Sequence, residues 1–183
     1  KMTFDMQAHR LHELIDTSIR HNQPYADHYQ IQLQFHAGDD AMVTLDNLRF
    51  QQVLSNLLSN AVKFSPSGGL VRIQTKRCGE QVRISVIDQG PGIPLAFRER
   101  IFEKFSQADS ADARSKGGTG LGLAIVRELT QRMGGQISFD SEEGIGTQFH
   151  LDFPATAIAC IVQKPPLLLV EDEPQIASLL SQL

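Results

Sequence analysis

Asp88-Gln89-Gly90-Pro91-Gly92-Ile93-Pro94 sets a carboxylate at the end of an apolar strand and follows it with a glycine turn. Downstream, Gly117-Gly118-Thr119-Gly120-Leu121-Gly122-Leu123 runs a glycine-rich loop straight into an apolar helical pattern. Upstream, Asn56 and Asn60 lie on a polar stripe of another helix. A carboxylate at a strand end can accept a hydrogen bond from an exocyclic amine. Glycines let backbone N–H groups approach phosphates at a helix start. Either stretch alone is a weak signal; together with the asparagine stripe they describe a purine-nucleotide pocket.

Working outward, the periodicity predicts a helix from about Phe4 to Ile19, with Leu11, Leu14, Ile15 and Ile19 on one face and Asn22 and Pro24 ending it. Ile31, Leu33 and Phe35 alternate with glutamines, so 30–36 reads as a half-buried strand. Gly38-Asp39-Asp40 then turns the chain into a short partner strand over 41–45. Asp46 is placed to cap a long helix to Phe64, with Phe50, Val53, Leu54, Leu57, Leu58 and Ala61 on its apolar face. Its second stripe is polar: Gln52, Asn56, Asn60 and Lys63. Strands are expected over 70–77 and 81–88 around a Gly79-Glu80 hairpin, followed by a short helix with Ile101, Phe102 and Phe105. Residues 106–118 read as a polar mobile loop, 121–133 as a helix ended by Gly134-Gly135, and 136–141 with 147–153 as a closing hairpin. The fold class that follows is α+β: a two-layer sandwich with a mixed, mainly antiparallel sheet of about five strands and about three helices on one face.

Composition narrows the function classes. The 183 residues carry a net charge of −4, which supplies no basic field for nucleic acid. The longest apolar runs fall well short of the ~20 residues that cross a bilayer. Cys78 and Cys160 are isolated, with no metal or disulfide spacing, which fits a reducing compartment. The phosphate loop of the other large nucleotide-binding class, GxxxxGK[ST], is absent. A chain that opens on Lys1 and stops within an apolar pattern at Leu183 is expected to be a piece of a longer protein.

From Asp46 to Phe153 the chain resembles the catalytic ATP-binding domain of bacterial sensor histidine kinases, in the Bergerat-type superfamily shared with gyrase, Hsp90 and MutL. Five boxes fall in family order. Phe50-Gln-Gln-Val-Leu-Ser-Asn56-Leu-Leu-Ser-Asn60-Ala-Val-Lys63-Phe64 resembles the N box, and Asp88–Pro94 the first glycine box. Ile101-Phe-Glu-Lys-Phe-Ser-Gln-Ala-Asp109 resembles the F box, Gly117–Leu123 the second glycine box, and Gly144-Ile-Gly-Thr147 the third. The wording of 106–118 is similar to that of hybrid kinases, and Leu168-Leu-Val-Glu-Asp-Glu173 resembles the opening of a receiver domain.

The resemblance implies a role for each matching residue. Asn60 is expected to bind Mg²⁺ through its amide oxygen, a hard neutral ligand. Asn56 stands where the gyrase and Hsp90 branch has a water-activating Glu; an amide is no general base near neutral pH, so Asn56 is expected to support metal or phosphates. Lys63 is implied to reach phosphate oxygens, and Phe64 to stack on or line adenine. Asp88 is implied to accept from the adenine 6-amino group, with Gly90 and Gly92 allowing close approach and Ile93 walling the base. Arg114 and Lys116 are expected to meet the β- or γ-phosphates, with Asn56, Lys63 and Arg114 forming the catalytic set. Gly118, Thr119, Gly120, Leu121 and Gly122 are expected to present N–H groups to phosphates, and Thr147 to complete the adenine pocket. Phe102 and Phe105 have two equal readings, as core and as a docking surface for the phosphoacceptor helix.

The same resemblance sets the expected organisation. Residues 1–22 are expected to be the end of a dimerisation hairpin helix or linker, and 23–155 the catalytic ATP-binding domain. A linker over 156–166 and a truncated receiver start over 167–183 follow. His12-Glu13-Leu14 superficially resembles the start of a phosphoacceptor motif but lacks the following Thr-Pro; the resemblance implies an acceptor His on a separate helical-hairpin domain. The implied function is a kinase module that positions Mg·ATP for γ-phosphoryl transfer. Its implied partners are the dimerisation and phosphoacceptor domain and a receiver domain or response regulator, with no nucleic acid. The fragment is expected to be a monomer in the cytoplasm, its parent anchored in a bacterial inner membrane. The alternatives are a gyrase-, Hsp90- or MutL-type ATPase and a degenerate partner-binding module without nucleotide.

Overall fold

The computed structural model describes residues 3–106 and 120–156. The expected linker, the start of a receiver domain, and Arg114, Lys116, Gly118 and Thr119 lie outside the described residues.

Seven strands form one sheet: β1 (Gln7–Arg10), β2 (Gln32–His36), β3 (Met42–Leu45), β4 (Leu70–Cys78), β5 (Gln81–Ile87), β6 (Gln136–Glu142) and β7 (Gly146–Thr156). Their order is β1-β3-β7-β5-β4-β2, with β6 also paired to β7. All neighbours are antiparallel except β2 and β4. The helices are α1 (Leu11–His28), α2 (Asn47–Phe64), the short α3 (Leu95–Arg98) and α4 (Gly122–Arg132).

The sheet's apolar face is built by period-2 alternation. Val71 and Ile73, Val82, Ile84 and Val86, and Phe149, Leu151 and Phe153 are all buried in the core, which α1, α2 and α4 complete. Helix α2 crosses the middle of that layer, packing against α1 on one side and α4 on the other. Its buried stripe, Phe50, Val53, Leu54, Leu57, Leu58, Ala61 and Val62, matches the expected helical spacing. Asp46 caps it by accepting from the Arg49 N–H at 3.0 Å.

The short helix is Leu95–Arg98, so Ile101, Phe102 and Phe105 lie in the turns beyond it and not on a helix, and three further local expectations are corrected. Residues 7–10 are a strand, not helix, and pair with β3 in the register Gln7 to Leu45. The helix that follows does not stop at Asn22 and Pro24 but runs to His28, so the boundary expected at residue 22 falls inside α1. Tertiary contacts override the proline here. Pro24 is exposed, while buried Asn22 donates to the Ser18 carbonyl at 2.8 Å and to Ser55 Oγ on α2 at 3.1 Å. Gln51 of α2 also donates to the Leu14 carbonyl at 3.0 Å, so a polar seam ties α1 to α2. The third correction concerns β3, which does not pair with β2: β2 lies parallel beside β4, and β3 lies between β1 and β7.

His12 is occupied structurally. Its Nε2 lies 3.0 Å from Thr75 Oγ1 and 3.2 Å from the Asp39 carbonyl, and its ring meets Phe35 edge-on at 5.1 Å.

Phe50 and Phe153 join the helical layer to the sheet, both essentially inaccessible, with centroids 5.9 Å apart at 67°. Phe50→Ala should lower the unfolding free energy by about 3–5 kcal/mol. Urea unfolding would then show a reduced midpoint at an unchanged slope, and a midpoint within error of the parent would contradict this account of the core.

Candidate nucleotide-binding site

Asp88 lies just past the end of β5, with only 9% of its surface exposed. Its Oδ1 accepts two backbone N–H bonds, from Gly90 at 2.8 Å and Thr147 at 3.2 Å, and its own N–H donates to the Thr147 carbonyl at 2.9 Å. Its Oδ2 has no hydrogen-bond partner among the described residues. The carboxylate is therefore fixed by one oxygen and offers the other. Burial pushes its pKa above the ordinary carboxylate value, against the two N–H groups, which pull it down.

The glycines around it are required by distance. A Cβ on Gly90 would stand 2.9 Å from Asp88 Oδ1 and 3.1 Å from the Phe64 carbonyl. Gly92 has φ +75°, and a Cβ there would stand 2.2 Å from the Glu142 carbonyl oxygen. These contacts bring the end of α2, the glycine turn and the β6–β7 hairpin onto one another. Gly144 N–H donates to the Pro91 carbonyl at 2.8 Å, tightening the same junction.

Across the site, Asn56, Asn60, Lys63 and Phe64 are half-buried along α2. The amide heads of Asn56 and Asn60 have no hydrogen-bond partner among the described residues. A Cβ on Gly122 would lie 3.9 Å from Asn60 Nδ2, so the start of α4 faces the asparagine stripe. Lys63 Nζ sits 5.2 Å from the Phe64 ring centroid. The two helix starts differ: α2 is capped by Asp46, whereas Leu121 gives α4 no side-chain cap. The first helical bond there runs from Ile125 N–H to the Leu121 carbonyl, so the N–H groups before it have no partner inside the helix.

Gly120 and Phe105 hold the two flanks of 107–119 together. Phe105 N–H donates to the Gly120 carbonyl at 3.0 Å, and a Cβ on Gly120 would stand 2.8 Å from the Phe105 backbone. Phe102 and Phe105 part company. Phe102 packs edge-on against Phe139 at 5.9 Å under Arg127, while Phe105 is 74% exposed with φ 62°.

Two residues absent from the sequence-based set matter here. Arg98 donates from Nε to the Ile93 carbonyl at 3.0 Å and from Nη2 to the Ser141 carbonyl at 2.6 Å. Ser141 Oγ accepts from the Ile93 N–H at 2.8 Å and lies 3.0 Å from Thr147 Oγ1. No spacing rule marks either residue, because each acts across elements distant in sequence. Two open grooves, of about 470 Å³ beside Asp5, His9 and Arg49 and about 400 Å³ beside His36, Gln74 and Arg83, contain none of the site residues.

The donor set fits a nucleotide-borne Mg²⁺ better than an ion held by protein alone. Asn60 supplies one neutral oxygen, and no cluster of three acidic, His or Cys side chains suited to a metal occurs among the described residues.

The raised pKa of Asp88 has a thermodynamic sign. The folded state holds the carboxyl proton more tightly than the unfolded state, so stability falls as pH rises from the ordinary carboxylate value through the raised folded value. Asp88→Asn keeps an oxygen acceptor for the Gly90 and Thr147 N–H groups and removes the charge. The variant should gain stability relative to the parent as pH rises through that window and keep the gain at neutrality. Urea midpoints of both proteins from acid to neutral pH test this; a variant less stable at neutral pH would refute it.

Known proteins are similar in sequence and fold. The family described as "Histidine kinase-, DNA gyrase B-, and HSP90-like ATPase" matches residues 45–157. The Pseudomonas aeruginosa alginate biosynthesis sensor protein KinB is 39% identical over 132 residues, 72% of this chain and 22% of its own length. The catalytic domain of the histidine kinase ThkA superposes with TM-score 0.71 at 30% identity, covering 83% of this chain and 97% of that domain. Full-length ShkA, solved in complex with AMPPNP, gives TM-score 0.75 at 34% identity over 86% of this chain and 33% of its own. ThkA has also been solved with the response regulator protein TrrA, at TM-score 0.68, 28% identity and coverage of 84% of this chain and 42% of that one. The chain spans 22 to 35% of the length of the first curated relatives it matches. On the family match over 45–157 and these similarities, the chain belongs to the histidine kinase-, DNA gyrase B- and HSP90-like ATPase family and is homologous to sensor histidine kinase catalytic domains.

Proposed function

We propose that this chain is the ATP-binding catalytic module of a hybrid sensor histidine kinase. The observation that carries the reading is Asp88: a buried carboxylate with one oxygen fixed and the other open, its glycine turn packed on the end of the helix whose Asn60 lies beside an uncapped helix start. Asp88 Oδ2 takes the adenine 6-amino group, Phe64 and Ile93 line the base, and Thr147 closes the pocket. Asn56, Asn60 and Lys63 meet the phosphates together with the N–H groups of Gly120, Leu121 and Gly122, and Arg114, Lys116, Gly118 and Thr119 complete that set. Asn60 holds Mg²⁺, which when bound neutralises charge on the phosphates.

The γ-phosphoryl passes to an imidazole nitrogen of a His on a separate dimerisation domain. A P–N bond forms, the bond from the γ-phosphorus to the bridging oxygen breaks, and ADP leaves. Little covalent chemistry is asked of the module, which positions the reactants and balances charge. Asn56 supports transfer over hydrolysis, since an amide cannot activate water as a base. Phe105, exposed at the flank of 107–119, docks on the phosphoacceptor helix. The fold from β1 to β7 acts as the catalytic unit, the residues after it up to 166 as a linker and 167–183 as the start of a receiver, which with a response regulator receives the phosphoryl group. The TrrA complex of ThkA supports a regulator partner. No described helix is long and apolar enough to cross a membrane, and the reading places this monomeric module in the cytoplasm under a membrane-anchored parent.

Calorimetric titration with ADP, with and without Mg²⁺, tests the site. Saturable binding should weaken at least about tenfold in Asp88→Asn, the scale of one charge-assisted hydrogen bond. Asn60→Ala should erase the difference made by Mg²⁺. Radiolabelled ATP should leave the isolated chain unlabelled and label an added phosphoacceptor domain in acid-labile form. Steady phosphate release by the chain alone would favour the gyrase-type ATPase, and no ADP binding would favour a degenerate partner-binding module.

A further inference from the structure

Ser141 stands at the meeting point of the glycine turn and the β6–β7 hairpin, where four groups converge on one residue. Ile93 N–H donates into its Oγ at 2.8 Å. Its Oγ also lies 3.1 Å from the Gly146 carbonyl and 3.0 Å from Thr147 Oγ1. Arg98 bridges the Ile93 and Ser141 carbonyls, so the Ser141 backbone and its main donor are clamped by one guanidinium.

A hydroxyl has one proton and two lone pairs. The Ile93 N–H occupies one lone pair of Ser141. Two hydrogen-bond patterns then remain. When the Ser141 proton points to the Gly146 carbonyl, the Thr147 hydroxyl donates into the second Ser141 lone pair and presents its own lone pairs outward. When the Ser141 proton points to Thr147 Oγ1, the Thr147 proton is released. Only the first pattern leaves neither the Gly146 carbonyl nor the Thr147 proton without its partner at Ser141, so Ser141 holds the Thr147 hydroxyl as an acceptor, and the backbone of Thr147 is already fixed on Asp88 through its N–H and carbonyl.

We propose that Ser141 is a positioning residue for base selection: by orienting the Thr147 hydroxyl beside Asp88, it sharpens the preference for an amino-bearing purine edge over a keto-bearing one. The inference rests on the adenine-nucleotide reading of this site. Adenine offers a donor at position 6 and an acceptor at N1, whereas hypoxanthine offers the reverse. An oriented hydroxyl beside an acceptor carboxylate suits one of these edges; a freely rotating hydroxyl adapts to either. Removing the Ser141 hydroxyl frees that rotor and leaves Asp88 in place.

The test is titration of the parent chain, Ser141→Ala and Ser141→Thr with ADP and with inosine 5′-diphosphate, both with Mg²⁺. The ratio of the two affinities is the readout, since a general loosening of the fold weakens both diphosphates by a common factor. Ser141→Ala should reduce the preference for ADP by about five- to tenfold, the scale of one neutral hydrogen bond. Ser141→Thr keeps a hydroxyl at the same place and should restore the preference. An unchanged ratio in Ser141→Ala with ADP still bound overturns the role of Ser141 alone. Failure of the parent to bind ADP overturns the adenine-site reading and this inference with it.

Discussion

The arrangement around Asp88 depends on one buried oxygen that takes two backbone N–H bonds. Stripping water from a carboxylate costs several kcal/mol unless donors replace it. Here Gly90 and Thr147 replace it at Oδ1. Those donors come from two elements that the sheet must first bring together, because Thr147 is on β7 and Asp88 follows β5. Side chains at two neighbouring glycine positions could not coexist with this closeness. A Cβ on Gly146 would stand 2.2 Å from the Asp88 carbonyl oxygen, and one on Gly92 equally close to that of Glu142. The glycine boxes are therefore best understood as clearances cut so that three backbone segments can meet over one charge. The raised pKa is what remains of the cost: the two N–H groups offset the burial without cancelling it.

Strand β7 carries much of this. It is the only described strand with three partners, β5, β6 and β3, and so it is held from both edges before it presents Thr147 to the site. On the helical side, α2 is anchored by its Asp46 cap and by the polar seam to α1. Its amide stripe is thereby held on a rigid element. The contrast between the capped start of α2 and the open start of α4 follows the same division. One helix start is closed by a side chain, while the other has none and carries the positive end of its helix dipole uncovered by a cap.

What could be read in the chain was local, and what could not was mostly tertiary. The apolar stripe of α2, the alternation of β4 and β5, and the carboxylate with its glycine turn each repeat at a period that a few neighbouring residues define. β1 has no such pattern. Gln7-Ala8-His9-Arg10 are largely exposed and become a strand only through pairing with β3. Pro24 marks a helix end by its own chemistry, yet Asn22 and Ser18 are bound to α2 on the buried side and the helix continues past it. The parallel pairing of β2 with β4 skips a whole helix, and no turn signal encodes it. In the site, Asp88, Gly92 and Thr147 announced themselves through motifs. Arg98 and Ser141 did not, since a guanidinium bridging two carbonyls 48 residues apart in the chain leaves no spacing to recognise.

The flanks of 107–119 show how this fold handles a connection beside its site. Phe105 adopts φ 62°, a region that costs a side-chain-bearing residue roughly 1–2 kcal/mol. The strain persists because its N–H is bonded to the Gly120 carbonyl and because Gly120, itself at φ +67°, is small enough to lie against the Phe105 backbone. Two left-handed residues in contact thus close the base of a long connection, so that both of its ends are fixed at one point close to Gly122 and Asn60. The same geometry turns the Phe105 ring out to solvent instead of into the core occupied by Phe102 and Phe139. A packed core residue would not need that backbone conformation. The strain is therefore tied to holding the two flanks together and an aromatic ring outward at the edge of the candidate site.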